Sequence, residues 1–257
     1  MTRSRRQRNA WTITGDSGDY TDDMNSVRSL DRGEMSVVFQ PIVDLGTGRS
    51  FAVEALARCA RAQFRSPVAL FAAAVEQGAT GRLGRLIRDI AFDHGAGQRL
   101  FVNIHPNELS SRWLVRTDDP LCYHDSEVFL EITETAAFEY FGLCQGVLRE
   151  VCQRTGAHLA VDDLGAGYSN LTRVLDLEPK VVKIDRALVS ELHLSRRKQV
   201  LLRHLTRLCV ELGATVVAEG IEELDELKAV IDAGVHYGQG YLMARPGHPP
   251  PDVSWPL

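Results

Sequence analysis

Val216-Val217-Ala218-Glu219-Gly220-Ile221-Glu222 is a short apolar run that ends on a carboxylate. Val and Ile favour an extended, buried chain, and a strand feeding a core does not carry an acid unless something pairs with it. Outward from this stretch the same pattern recurs. Phe129-Leu130-Glu131-Ile132-Thr133-Glu134 and Leu159-Ala160-Val161-Asp162-Asp163 end two further apolar runs on acids. Val102-Asn103-Ile104 adds an amide oxygen, and Val53-Glu54-Ala55-Leu56 another acid. The strand-like runs are 36–43, 50–57, 99–104, 127–133, 158–162, 180–184, 214–218 and 237–242. Between them lie segments of helical period at 67–78, 82–94, 143–155, 168–176, 196–212 and 222–233, and residues 23–35 suit a short helix leading into the first strand.

The alternation predicts an α/β protein with a largely parallel sheet. Eight strands fit a (β/α)8 TIM-like barrel, and a doubly wound open sheet is the competing architecture. The first two runs are set to pair antiparallel across Gly46-Thr47-Gly48. In a barrel the carboxyl ends of the strands share one face, so acids from separate strands would meet in one pocket. No dinucleotide or P-loop glycine fingerprint follows an early strand, and no solenoid repeat is present.

Composition narrows the function classes. The chain has 257 residues, 44% hydrophobic and 25% charged, with a net charge of −5. The acidic balance argues against polymeric nucleic acid as the main partner, while leaving room for a small anion in a local cationic site. Cys59, Cys122, Cys144, Cys152 and Cys209 form no CxxC, which fits reduced thiols in a cytoplasmic protein. No apolar run reaches membrane-span length, and the start Met-Thr-Arg-Ser-Arg-Arg lacks the apolar core of a secretory signal. Residues 1–22 read as a disordered polar tail carrying Arg3, Arg5, Arg6 and Arg8, residues 23–250 as one domain, and 251–257 as a C-terminal tail. Such a short leading tail leaves no room for a fused sensory domain, so regulation is expected to come through partners, metal, expression level or dimer state. Ser195-Arg196-Arg197-Lys198 reads as a solvated helix start.

Several carboxylates and one amide make a hard, all-oxygen ligand set, suited to Mg²⁺ or Mn²⁺ rather than Zn²⁺. Without cations the acids would repel and their pKa values would rise. With two cations they can polarise a phosphoryl oxygen and activate water, which is chemistry for phosphodiester hydrolysis. Lys183 lies within Val181-Val182-Lys183-Ile184-Asp185, where alternation puts it on the same face as Asp185. Two readings stay open for it: a structural lysine–carboxylate pair, or a cation that orients the attacking water or counters charge on the phosphate.

The ordered set of motifs resembles the EAL-domain family of cyclic di-GMP phosphodiesterases from about residue 28 to 246. Gln40-Pro41-Ile42 is similar to the family's entry strand, and Glu54-Ala55-Leu56-Ala57-Arg58 to its EALxR signature. Asn103 lies in the Asn-Ile segment, and Glu131-Ile132-Thr133-Glu134 resembles E-[LIV]-T-E. Asp162-Asp163-Leu164-Gly165-Ala166-Gly167-Tyr168-Ser169 is similar to the DDFGTGYS loop and Lys183-Ile184-Asp185 to K-[IL]-D. Ala218-Glu219-Gly220-Ile221-Glu222 resembles AEGVE, and Gln239-Gly240-Tyr241-Leu242 with Arg245-Pro246 resembles QGYLxxRP.

The resemblance implies a barrel with one antiparallel strand near the N-terminus. It implies metal ligands at Glu54, Asn103, Glu131, Asp162 and Glu219, with Asp163 serving a second Mg²⁺ or Mn²⁺. It makes Lys183 the catalytic lysine, has Gln239 complete the site around the attacking water, and has Gln40, Leu56 and Arg58 hold the substrate. Glu134 would brace the loop 164–169, and Glu222 would support the second-metal region. The implied reaction opens cyclic di-GMP to linear pGpG. Segments 168–176 and 196–212 would carry a homodimer contact. Three positions depart from the family pattern: Leu164, Ala166 and His105 stand where Phe, Thr and Ser are usual. A cyclic di-GMP receptor with weak or no turnover, acting through protein contacts, is the alternative, and a module that ignores the nucleotide is a third. The retained acids, Asn103, Lys183 and Gln239 favour the enzyme.

Overall fold

Strands β1 (Met35–Asp44) and β2 (Arg49–Cys59) pair antiparallel, from Met35 opposite Cys59 to Asp44 opposite Arg49. Their connection is the Gly46-Thr47-Gly48 turn expected from the sequence. Asp44 Oδ1 accepts from the N–H groups of Gly46 and Thr47 at 3.0 and 2.9 Å. Gly48 takes φ +69°, and a Cβ there would strike the Trp255 ring. The computed structural model describes residues 25–110, 113–165 and 176–257. The expected polar tail 1–22, all but the last residue of the expected helix 168–176 and most of the loop 164–169 lie outside them.

From β2 the chain alternates. Helices α1 (Pro67–Glu76) and α2 (Thr80–His94) lead to β3 (Leu100–Asn103), and α3 (Pro106–Ser110) leads to β4 (Val128–Thr133). Helix α4 (Glu134–Glu139), a π-helical turn at Cys144–Leu148 and α5 (Arg149–Thr155) precede β5 (His158–Leu164). After β6 (Val181–Ile184) come α6 (Arg186–Val189), α7 (Arg196–Glu211) and β7 (Thr215–Ala218). Helix α8 (Leu224–Asp232) then leads to β8 (Tyr237–Gly238).

The eight strands close in sequence order, and β8 returns to β1 with Val43 opposite Gly238. The architecture is therefore the TIM-like barrel and not the doubly wound sheet. Strand β1 runs antiparallel to both neighbours, and the remaining pairs are parallel.

Two cores follow from the two faces of the strands. Outside, residues such as Val53, Val102, Leu130, Val161, Val182 and Val216 pack against the helices. Inside, Ile42, Ala52, Phe101, Phe129, Ala160, Val181 and Val217 form a separate apolar plug, with Phe101 stacked on Phe129 at 4.2 Å. Side chains two residues apart share a face of a strand. The layer directly above the plug is therefore Gln40, Glu54, Asn103, Glu131, Asp162, Lys183 and Glu219. A dry floor of aliphatic and aromatic side chains underlies the polar layer at the barrel mouth.

Two sequence expectations are corrected. Residues 25–35 do not continue as a helix; only Val27–Ser29 makes a 3₁₀ turn, capped by Ser26, whose hydroxyl accepts from Arg28 N. Leu30 is extended, and Asp31 then takes the Gly33 N–H at 2.8 Å, which turns the chain instead. The last strand stops at Gly238 rather than 242. Gly240 lies against Ile221 so closely that a Cβ would sit 2.0 Å from the Ile221 carbonyl oxygen, and Met243 and Ala244 N–H both donate back to Gly240 O. At the C-terminus, Ser254 N–H donates to Met243 O at 2.9 Å.

Candidate active site

Lys183 is fully buried at the centre of the polar layer. Its Nζ lies 2.6 Å from Glu219, 2.7 Å from Glu131, 3.3 Å from Glu54 and 3.4 Å from Asp162. These partners come from four other strands or their ends, so closure of the barrel assembles them. Asp185, expected to share the lysine's face, is not the partner: β6 ends at Ile184, and Asp185 caps α6 by accepting from Ala187 N at 2.8 Å.

Amides fix the Glu54 carboxylate. Asn103 Nδ2 donates to its Oε1 at 3.1 Å, and Gln239 Nε2 to its Oε2 at 2.8 Å. Gln239 Nε2 also reaches Gln40 Oε1 at 3.1 Å, and Gln40 Nε2 donates to Ala244 O at 3.2 Å. The two residues opposite each other in the β1–β2 ladder, Gln40 and Glu54, are thus tied to the chain beyond β8.

Strand alternation alone would send Asp162 and Asp163 to opposite faces. The β5–β6 ladder shifts between Val161 and Leu164, and Asp163 takes φ 60°. This irregularity re-aims the second acid. Asp162, Asp163 and Glu219 consequently offer carboxylate oxygens within 4.8 Å of one another. Gly165 N–H donates to Glu134 Oε2 at 3.3 Å, which ties the exit of β5 to the start of α4.

The charges are unbalanced: five carboxylates face one ammonium. Burial alone would lower the Lys183 pKa, but Glu131, Glu219, Glu54 and Asp162 hold it well above the usual lysine value. Burial pushes Glu131 well above the carboxylate range, with Glu54 adding repulsion and Lys183 offsetting part of it. Burial also carries Glu219 up to about 8 against the pull of Lys183, and Asp163 up to about 6 with help from Asp162 and Asp185. Glu54 goes the other way. Burial would raise it, but Lys183, Gln239 and Asn103 together bring it below the usual value. Glu131 Oε2 and Gln239 Oε1 are buried acceptors with no hydrogen-bond donor among the described residues. Hard oxygens in excess, raised carboxyl pKa values and orphaned acceptors fit divalent cations of the Mg²⁺ or Mn²⁺ type.

A cleft of about 230 Å³ opens beside this layer and is bordered by Gln40, Glu54, Leu56, Glu219, Glu222 and Gln239. Of the other sequence candidates, Arg58 in β2 donates from Nη1 to Ala57 O at 2.8 Å. Glu222 pairs with Arg186 at 3.1 Å on the rim. His105 accepts from Asn107 N through Nδ1 at 3.1 Å and stacks on Phe71 at 5.8 Å, and burial lowers its pKa. Sequence reading passed over Arg186 and the ring of Tyr241, which also line the cleft. The one available signal was their place directly after Lys183-Ile184-Asp185 and Gln239-Gly240. No helix of the described residues is long and apolar enough to cross a membrane.

The EAL domain family model matches residues 25–246. The chain is 34% identical over 236 residues to the cyclic di-GMP phosphodiesterase PA2567 of Pseudomonas aeruginosa, covering 85% of this chain and 39% of that protein. It is 31% identical over 237 residues to the cyclic di-GMP phosphodiesterase RocR of the same organism, covering 86% of this chain and 59% of that one. The chain thus spans less than two thirds of the length of either relative. Among solved structures, the calcium and cyclic di-GMP complex of Klebsiella pneumoniae BlrP1 superposes with a TM-score of 0.74 at 31% identity, over 83% of this chain and 56% of that one. The cyclic di-GMP complex of the PaMucR phosphodiesterase gives 0.73 at 25% identity, over 84% and 93%.

Proposed function

The chain belongs to the EAL domain family, and from that premise we propose that it is a metal-dependent phosphodiesterase that opens cyclic di-GMP to linear pGpG. The observation that carries the reading is the surplus of carboxylates around Lys183 at the barrel mouth. Glu54, Asn103, Glu131, Asp162 and Glu219 would hold one divalent ion, and Asp163 would join Asp162 and Glu219 at a second. Such ions, when bound, polarise a phosphoryl oxygen and acidify water.

The chain's own groups do the rest. Glu54 is kept ionised and immobile by Asn103, Gln239 and Lys183, so its oxygens keep their aim through the reaction. Lys183 stays protonated among its acids and supplies positive charge where the phosphate gains negative charge. Gln239 Oε1, buried with no donor among the described residues, would accept from the attacking water. Hydrolysis adds that water across one phosphodiester: the P–O3′ bond breaks, the hydroxyl stays on phosphorus, and the proton ends on the 3′ oxygen. The apolar plug beneath the site keeps other water out from below.

The test is incubation of the purified chain with cyclic di-GMP and Mg²⁺ or Mn²⁺, followed by chromatography for pGpG. Product formation that stops on chelation is expected. Tight binding with no product would overturn the enzyme reading in favour of a receptor.

A further inference from the structure

At the foot of the barrel, opposite the acid layer, a second cavity opens between the end of α2 and the starts of β3 and β4. Its volume is about 310 Å³, the lower end of the range for small-molecule sites. Phe92, Leu100 and Val128 give it an apolar wall. Its polar groups share one sign. Asp93 and Asp125 line it, and no lysine or arginine does among the described residues. Asp93 Oδ2 is held by Arg32 at 2.6 Å, whereas Asp125 is exposed and has no ion-pair partner among the described residues. Gly95 directly follows α2 and also lines the cavity, so the negative end of that 15-residue helix lies against the same space. His124 adds an acceptor. Its ring packs on Phe92 at 5.7 Å between centroids, and its Nδ1 meets Ser126 O. A carbonyl oxygen accepts and cannot donate, so Nδ1 carries the proton, and Nε2 of the neutral ring presents a lone pair. That Nε2 is buried and has no hydrogen-bond partner among the described residues. A buried acceptor without a donor is costly, and a ligand that donates to it removes the cost.

We propose that this cavity binds a primary amine in its ammonium form. One N–H goes to His124 Nε2, the charge is set against Asp125, and the stem lies on Phe92, Leu100 and Val128. Tyr123 borders the same space, and its hydroxyl is taken by Thr117 O at 2.9 Å. Its ring is therefore what it offers a ligand, and an aromatic face attracts an ammonium. An anion would meet the two carboxylates and the helix end with nothing to pair it. A neutral alcohol could donate to Nε2 but would gain nothing from Asp125. A metal ion held by side chains needs more ligands than the cavity brings together. Among the described residues, the trio of such ligand atoms within 4.8 Å of one another is Asp162, Asp163 and Glu219 at the other end of the barrel. The foot cavity shares no residue with the acid layer or the cleft beside it, so this proposal stands or falls apart from the hydrolysis reading.

The test titrates benzylammonium into the full chain and follows backbone amide shifts by NMR. Saturating Mg²⁺ is present to compete for the acids at the barrel mouth, which attract any ammonium. Shifts should centre on Gly95–Gly97 and His124–Ser126, with a Kd of about 1 mM for so small a ligand. Benzyl alcohol, which keeps the ring and a donor but not the charge, should bind at least about five-fold more weakly. His124→Phe keeps a ring against Phe92 and removes the acceptor, and it should weaken benzylammonium about ten-fold, the worth of a charge-assisted hydrogen bond. Asp125→Asn, an exposed change that leaves the fold alone, should weaken it about two- to five-fold and carries the test if His124→Phe fails to fold. Absence of shifts at these amides up to about 20 mM would overturn the proposal. Shifts confined to residues at the barrel mouth would do the same, as would unchanged affinity in the folded variants. Equal affinity for benzylammonium and benzyl alcohol would sink the ammonium assignment and make the cavity an apolar slot.

Discussion

Among the described residues, two buried ionic clusters stand out in this barrel, and they differ in charge balance. Around Arg88, one guanidinium meets two acids. Its Nε and Nη2 reach Asp119 at 3.2 and 2.8 Å, and its Nη1 reaches Glu108 at 2.7 Å. The remaining carboxylate capacity goes to backbone: Glu108 Oε1 accepts from His105 N at 3.1 Å and Asp119 Oδ1 from Leu121 N at 3.1 Å. All three side chains are sealed from solvent. Around Lys183, one ammonium meets four acids with Asp163 beside them, an oxygen of Glu131 has no donor among the described residues, and Asp162 and Glu219 keep 13% and 18% exposure. The Arg88 cluster is complete within the protein and ties α2 to α3 and to the chain before β4. The Lys183 cluster leaves a surplus of acid that cations from outside would balance. Burial and pairing are common to both; the surplus of charge and the opening to solvent separate a structural network from a site.

The sharpest way to break this contrast is to remove each cation. Arg88→Met leaves two sealed carboxylates without their partner and should cost about 3–5 kcal/mol of stability, read from urea unfolding. Lys183→Ala should leave the fold intact in the presence of Mn²⁺, because the surplus acids can be satisfied by the ion. It should lower turnover by about 10²- to 10³-fold, read in steady-state kinetics. Unchanged kinetics would make Lys183 a structural ion pair like Arg88. Glu54→Ala, which removes a carboxylate expected to hold metal, should abolish turnover while the circular dichroism spectrum persists.

Metal should act on one cluster only. At about 100 times its Kd, Mn²⁺ should add about 2.7 kcal/mol to the wild-type chain and raise Tm accordingly. The Asp162→Asn Glu219→Gln double variant should lose that increment, whereas an exposed change such as Arg32→Ala should keep it. A smaller effect concerns pH. Without metal, Glu219 titrates at about 8 and Asp163 at about 6, above the unfolded carboxylate values. The folded chain then binds more protons than the unfolded one, so the metal-free protein should lose stability as pH rises from about 4 to 8. Metal competes with those protons, so apparent Mn²⁺ affinity should weaken as pH falls from 8 to 6. Calorimetry in buffers of different ionisation enthalpy reads the protons released.

Much of the frame was legible in local pattern. The eight apolar runs became eight strands, and Gly46-Thr47-Gly48 became the antiparallel turn. The acids lay where strand ends were expected, and the two-residue spacing from Phe129 to Glu131 or from Val181 to Lys183 reproduced the dry floor and the polar layer above it. The pairing of Lys183 was not legible, because alternation along one strand points to Asp185, whereas the real partners arrive from other strands. Nor was the early end of the last strand, which depends on the contact of Gly240 with Ile221.

Sequence by itself therefore determined the period of the chain: which residues face inward, which are acids, and the order in which they come. Those are properties of neighbours along one strand, set by backbone geometry of period two. Tertiary structure decided what the acids do together. Closure of β8 onto β1 brought separate strand ends around Lys183, and the shifted ladder at Asp163 placed a second adjacent acid in the same cluster. Closure and register are long-range, so no local pattern could carry them.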